Sequence, residues 1–146
     1  MWRAFLIAGR FLSRLPLPDP GPVSGLDRGL AAPFYPAVGL VIGLLVWGVA
    51  RLTSFSGVSD PGAALVLVVW VWFTGGLHLD GLADTADAWV GGLGDRRRTL
   101  EIMKDPATGP FGVLALVLVL LCKWSSIAAL MKGGAVASLI CVPVLA

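Results

Sequence analysis

The sequence predicts an all-α, polytopic transmembrane helix bundle with an N-terminal interfacial helix and a cytoplasmic acidic loop. Two observations carry that expectation. Only 14% of the 146 residues are charged and 57% are hydrophobic, with a mean hydropathy of +0.86. A soluble domain carries about 25% charged residues, so much of this surface has to face lipid. The charges are also segregated. None falls between Gly29 and Ala50, only His78 is ionisable between Pro61 and Leu79, and only Lys123 is charged between Phe111 and Met131. A helix crosses the hydrocarbon core with about 20 apolar residues, so spans are expected at about 33–53, 61–79 and 111–131. The last apolar run, 133–146, is expected as a partial span, making 1–146 a single membrane domain that is incomplete at its C-terminus.

Met1–Leu15 comes first. On a helix Arg3, Arg10 and Arg14 gather on one edge while Trp2, Phe5, Leu6, Phe11, Leu12 and Leu15 fill the rest. Such a helix either lies in the headgroup region or packs, partly buried, on the bundle. The apolar run is too short, and too interrupted by Arg10, for a signal peptide. Pro16, Pro18 and Pro20 end it, because proline cannot continue a helix.

Lysine and arginine placement sets the expected orientation. Arg3, Arg10, Arg14 and Arg28 precede the first span, and Arg96, Arg97, Arg98 and Lys104 lie between the second and third. Both clusters fall on the cytoplasmic side if the N-terminus and the 80–110 loop are inside. The formal net charge of +2 is small and its basic residues are scattered, so nucleic acid is excluded as a partner. Membrane lipid is the expected surrounding. Cys122 and Cys141 lack a C-x-x-C spacing and are expected to be buried thiols rather than a disulfide pair.

The chemistry is concentrated in G-G-L-H-L-D-G-L-A-D-T-A-D, residues Gly75 to Asp87. Asp80, Asp84 and Asp87 are spaced by four and three, so on a helix they lie within about 60° of one another. Like charges so placed destabilise a helix unless a cation sits among them. Hard divalent cations take oxygen ligands, and Mg²⁺ commonly combines one or two carboxylates with waters and substrate phosphates. These three aspartates are therefore the expected metal ligands, and Mg²⁺ the expected cofactor. The alternative is that they solvate a juxtamembrane helix. His78 faces away from them on a continuous helix and either bonds a neighbouring helix or serves as a base.

Gly91-Gly92-Leu93-Gly94 is expected as a flexible turn before Arg96, Arg97 and Arg98. The three arginines point different ways around a helix. They are either topogenic charge or, through one of them such as Arg96, a diphosphate contact. Lys104 and Asp105 either form a surface ion pair or bring an ammonium and a further carboxylate to the site, with Thr108 and Gly109 in the turn that follows. Lys123 stands roughly 18 Å into its span at 1.5 Å per residue. Charge at that depth faces a polar cavity or a partner.

At these residues a family resemblance emerges. The Gly75–Asp87 motif, R-R-R-T-L-E-I-M-K-D followed by T-G-P-F-G, L-V-L-L-C-K-W, the opening F-L-S-R-L-P-L-P and F-Y-P-A-V-G-L-V-I-G are similar to the cobalamin synthase family. The likeness runs from Phe11 to Leu130, with Trp89 where glycine is usual and Pro106 where serine is usual. It implies a multi-pass enzyme of the cell inner membrane that joins adenosylcobinamide-GDP to α-ribazole or its 5′-phosphate, with Mg²⁺ and release of GMP. It implies catalytic roles for Lys104, Asp105 and His78, and substrate binding by Arg96, Thr108, Gly109 and Lys123. A homo-oligomer is compatible with it. Family members run longer, so the chain is expected to hold the metal-binding part of a site rather than all of it. Two rival classes remain in view. Another Mg²⁺-dependent membrane phosphoalcohol transferase needs further aspartate motifs, and a non-enzymatic transporter favours acids at mid-span and internal repeats.

Overall fold

The computed structural model describes residues 1–55, 57 and 59–145, the side chain of residue 145 excepted. All regular secondary structure among the described residues is helical, without a strand, as the sequence predicts. The helices are α1 (Trp2–Leu12), α2 (Gly25–Ala31), α3 (Tyr35–Ser54), α4 (Ser59–Thr74), α5 (Leu77–Gly92), α6 (Arg96–Ile102), α7 (Pro110–Lys132) and α8 (Val142–Leu145). Short 3-10 turns at Ala32–Phe34 and Val136–Ile140 join α2 to α3 and precede α8. The chain forms two compact units, Met1–Gly75 with Trp124–Ala146, and Gly76–Lys123.

In the first unit α3 and α4 pack together. Val38, Ile42, Val46 and Ala50 recur every four residues along α3 and are buried, as are Ala63, Val66, Leu67 and Trp70 of α4. That spacing is the apolar stripe of a packed helix. Gly39 and Gly43 lie beside it because the C-terminal backbone approaches there. A Cβ on Gly39 would collide with the Pro143 carbonyl oxygen and one on Gly43 with that of Ile140. Where the sequence predicts the start of a span over 133–146, the chain makes the 3-10 turn and α8 instead. Gly134, at φ 72°, ends α7 in a left-handed turn.

α1 buries Leu6, Ile7 and Ala8 and packs on α2 and α3, leaving Arg3 and Arg10 exposed. Arg3 fastens the proline-rich connection by donating to the carbonyls of Pro20, at 3.3 Å, and Pro22, at 2.7 Å. Ser24 and Asp27 form a reciprocal capping box that starts α2.

Two helical stretches, Gly25–Ser54 and Pro110–Lys132, are long and apolar enough to cross a membrane. Ser59–Thr74 and Leu77–Gly92 reach that length only when taken together. The span expected at 61–79 is therefore interrupted, because Gly75 (φ 67°) and Gly76 (φ 71°) both adopt left-handed backbone that ends α4. Leu114, Val117, Leu118 and Leu121 on α7 are exposed, an apolar face of the kind that lipid covers. Cys122 and Cys141 form no disulfide and are exposed rather than buried; in a chain with lipid-facing surfaces, an apolar sequence run does not imply contact with protein.

Candidate functional site

The second unit carries the acidic motif, and most of the expected 80–110 loop is helix. α5 opens at Gly76, whose carbonyl accepts from the Asp80 N–H at 2.9 Å. It closes at Leu93, which adopts left-handed backbone (φ 45°) just before Gly94. Asp95 then caps α6, its side chain accepting from the N–H groups of Arg97 at 2.8 Å and Arg98 at 3.4 Å. Gly91 and Gly92 are not the flexible turn expected of them. They form the last turn of α5, where a Cβ on Gly92 would collide with Thr99 Oγ1 and one on Gly91 would meet Ile102 Cδ1 at 2.6 Å. Their bareness lets α6 lie against α5.

The three aspartates do share one helix, but their surroundings differ. Asp80 is exposed, while Asp84 and Asp87 are half-buried. Asp87 faces the beginning of α7: its Oδ2 accepts from the Gly109 N–H at 2.7 Å and its Oδ1 from the Gly112 N–H at 2.9 Å. The two glycines make this approach feasible. A Cβ on Gly109 would stand 2.6 Å from Asp87 Oδ1, and one on Gly112 would collide with Asp87 Oδ2 and lie 3.0 Å from the Ala83 carbonyl oxygen.

Among the described residues no three His, Cys, Asp or Glu side chains are grouped so as to hold one metal ion. The expected set of Asp80, Asp84 and Asp87 is thus not gathered as a three-carboxylate cage. Asp80 and Asp84 remain, one turn apart on α5. A magnesium ion shared with substrate phosphates needs only one or two carboxylates, so this pair fits such an ion.

The other expected site residues are spread over the same unit. His78 is exposed on the first turn of α5, and its side chain makes no hydrogen bond among the described residues. Arg96 is exposed, and Arg97 pairs with Glu101 at 3.2 Å. Lys104 and Asp105 are exposed and form no ion pair with each other; Asp105 Oδ1 instead accepts from the Ala107 N–H at 2.9 Å and shapes the turn. Thr108 is exposed, Gly109 donates to Asp87, and Lys123 is half-buried on α7. Gly112 carries no motif signal of its own in the sequence. The only trace of its role was a second glycine three residues after Gly109.

The first unit holds a cavity of about 570 Å³ whose walls include Ile7, Arg10, Phe11, Asp19, Arg28 and Tyr35. The Phe11 and Tyr35 rings stack there with centroids 6.0 Å apart. No spacing rule connects these residues, so the sequence did not reveal it.

Two helical stretches apolar enough to cross a membrane, or three if the bent pair is one span, with no strand among the described residues, define an all-α polytopic membrane protein. More particularly, the chain belongs to the cobalamin-5-phosphate synthase family, whose sequence profile matches residues 4–146. It is similar to an adenosylcobinamide-GDP ribazoletransferase of Pseudomonas putida (strain GB-1), 50% identical over 142 residues that cover 97% of this chain and 58% of that protein. The protein of the same name from Acinetobacter baumannii (strain ATCC 17978) is 49% identical over 144 residues, covering 97% and 57%. That of Pseudomonas syringae pv. syringae (strain B728a) is 52% identical over 141 residues, covering 97% and 58%. The chain therefore spans somewhat over half the length of these relatives. No solved structure matches it.

Proposed function

We propose that this chain supplies the metal- and diphosphate-binding part of a membrane transferase that joins adenosylcobinamide-GDP to α-ribazole or its 5′-phosphate and releases GMP. The observation that carries the reading is the Asp80–Asp84 pair on α5, in a chain whose relatives bear the ribazoletransferase name. Those carboxylates would hold Mg²⁺, which when bound would offset charge on the phosphoryl group and on departing GMP.

This chain's own residues position and neutralise. The Lys104 ammonium and the Arg96 guanidinium, both exposed, counter the diphosphate, which is most of what phosphoryl-type transfer requires. Thr108 offers a hydroxyl to the same group, and Lys123 a cation further along α7. A ribazole hydroxyl oxygen bonds to the cobinamide-side phosphorus as the bond to GMP breaks, and Asp105 or His78 takes the hydroxyl proton. The protein lies in the cell inner membrane with this unit on the cytoplasmic side, a reading supported by the basic clusters at 3–28 and 96–104.

The test is GMP release from adenosylcobinamide-GDP and α-ribazole phosphate by the full-length protein in lipid nanodiscs. Release that depends on Mg²⁺, and drops at least about a hundredfold in Asp84→Asn (on the order of 3 kcal/mol of transition-state stabilisation), is expected. Absence of release by the intact protein overturns the activity, and full activity in the variant overturns the metal assignment.

A further inference from the structure

We infer that Asp87 is a positioning residue rather than a third metal ligand: it caps α7 from a different helix and so clamps the Thr108–Gly112 turn to α5. The cap stands on geometry alone; only its contrast with Asp80 and Asp84 rests on the metal reading proposed above.

The first turn of any helix leaves backbone N–H groups without helical partners. At the start of α7, Pro110 has no N–H to satisfy, and the Val113 N–H bonds to the Gly109 carbonyl at 3.1 Å. The N–H groups of Gly109 and Gly112 go to the two different oxygens of one carboxylate, Asp87, at 2.7 and 2.9 Å. A helix is ordinarily capped by the side chain of its own first residue. Here glycine, which has no side chain, occupies that place, and the cap comes from 22 residues earlier in the chain.

Space enforces the arrangement. A Cβ on either glycine would come too close to the carboxylate, and one on Gly112 would also lie 3.0 Å from the carbonyl oxygen of Ala83, one turn before Asp87. This explains why the turn reads T-G-P-F-G.

The same geometry disfavours a cation at Asp87. Both oxygens already face N–H donors, and the start of a helix carries partial positive charge. A divalent ion bound there would sit against those donors and would need near-octahedral oxygen ligation around it. Asp80 and Asp84 accept no hydrogen bond among the described residues that involves their carboxylates. The three in-phase aspartates thus divide: two carry free carboxylates, and the third fixes the segment that follows Lys104 and Asp105 to the helix bearing them.

The test uses the full-length protein in nanodiscs, with Asp87→Asn, Gly112→Ala and Asp84→Asn. Amide exchange at Gly109 and Gly112 reads the cap, Mn²⁺ titration followed by electron paramagnetic resonance reads the metal, and GMP release reads turnover. The two amides are expected to be protected in the parent and to lose about tenfold or more of that protection in Asp87→Asn, as befits charge-assisted hydrogen bonds. Mn²⁺ affinity should stay within about twofold in Asp87→Asn and Gly112→Ala while kcat falls in both, whereas Asp84→Asn should weaken Mn²⁺ about tenfold and leave the amides protected. A tenfold loss of Mn²⁺ affinity in Asp87→Asn overturns the inference, as does free exchange of both amides in the parent. Should Asp87→Asn not fold, the parent's exchange and Gly112→Ala, which keeps all three carboxylates, still decide. If the parent binds no Mn²⁺, the metal reading fails and the exchange data continue to judge the cap.

Discussion

Gly81 and Gly112 stand on opposite sides of one physical question, what a methyl group would meet. A Cβ on Gly81 has nothing within 4 Å, whereas one on Gly112 would collide with Asp87 Oδ2 and crowd Thr108 Cγ2 at 2.9 Å. Alanine is favoured over glycine inside a helix by about 0.8–1 kcal/mol, so Gly81→Ala is expected to raise the thermal midpoint of the full-length protein in detergent. Gly112→Ala is expected to lower it, by about 1–3 kcal/mol of overpacking. Equal midpoints for the two variants would contradict the close approach of α7 to α5. At this scale the sequence revealed which side chains could do chemistry. It showed three carboxylates on one helical face, because helical phase is a property of spacing. It did not show that Asp87 is occupied by backbone donors, because those donors arrive from residues 109 and 112.

At the level of elements, the breaks matter more than the helices. Gly75 and Gly76 take left-handed backbone that costs other residues roughly 1–2 kcal/mol. Gly76→Ala, where nothing else lies within 4 Å, should destabilise the protein by about that amount, read as a shift of the denaturation midpoint. Gly75→Ala should cost more, because its Cβ would also come within 3.1 Å of Arg14 Nε. The cap on α6 is a second handle. Removing it in Asp95→Ala should cost about 1 kcal/mol, seen as faster amide exchange over residues 97–99 with the remainder of the chain unchanged. Hydropathy alone predicted an unbroken span over 61–79 because Gly-Gly is neutral on such a scale. The pair permits a break without demanding one, and the surrounding residues choose the left-handed conformation.

Across the whole molecule, the contacts that matter join segments distant in sequence. In the first unit Lys132 Nζ lies 2.6 Å from Asp60 Oδ1, and Trp124 Nε1 donates to the Asp60 carbonyl at 3.1 Å. Both side chains of the ion pair are about half exposed, at 56% and 52%. Lys132→Ala is therefore expected to cost no more than about 1 kcal/mol, and a loss of folding would show the pair to be worth far more than an exposed one. Gly43→Leu, by contrast, puts a branched side chain where the Ile140 carbonyl lies. It should dislodge the C-terminal segment from α3 and speed thiol labelling of Cys141 in nanodiscs, without a comparable change at Cys122.

The sequence by itself determined that the chain is helical and apolar enough to meet lipid, where its longest apolar runs lie, and that Asp80, Asp84 and Asp87 share one helix. Those properties follow from local hydropathy and helical periodicity, which each segment carries alone. Only the tertiary structure decided that the C-terminal run folds back on Gly39 and Gly43, that Gly91 and Gly92 are a packing surface, and that Asp87 serves α7. Each of these depends on which backbone arrives beside a given residue, and hydrogen bonding and steric exclusion between distant segments leave no periodic trace in the chain.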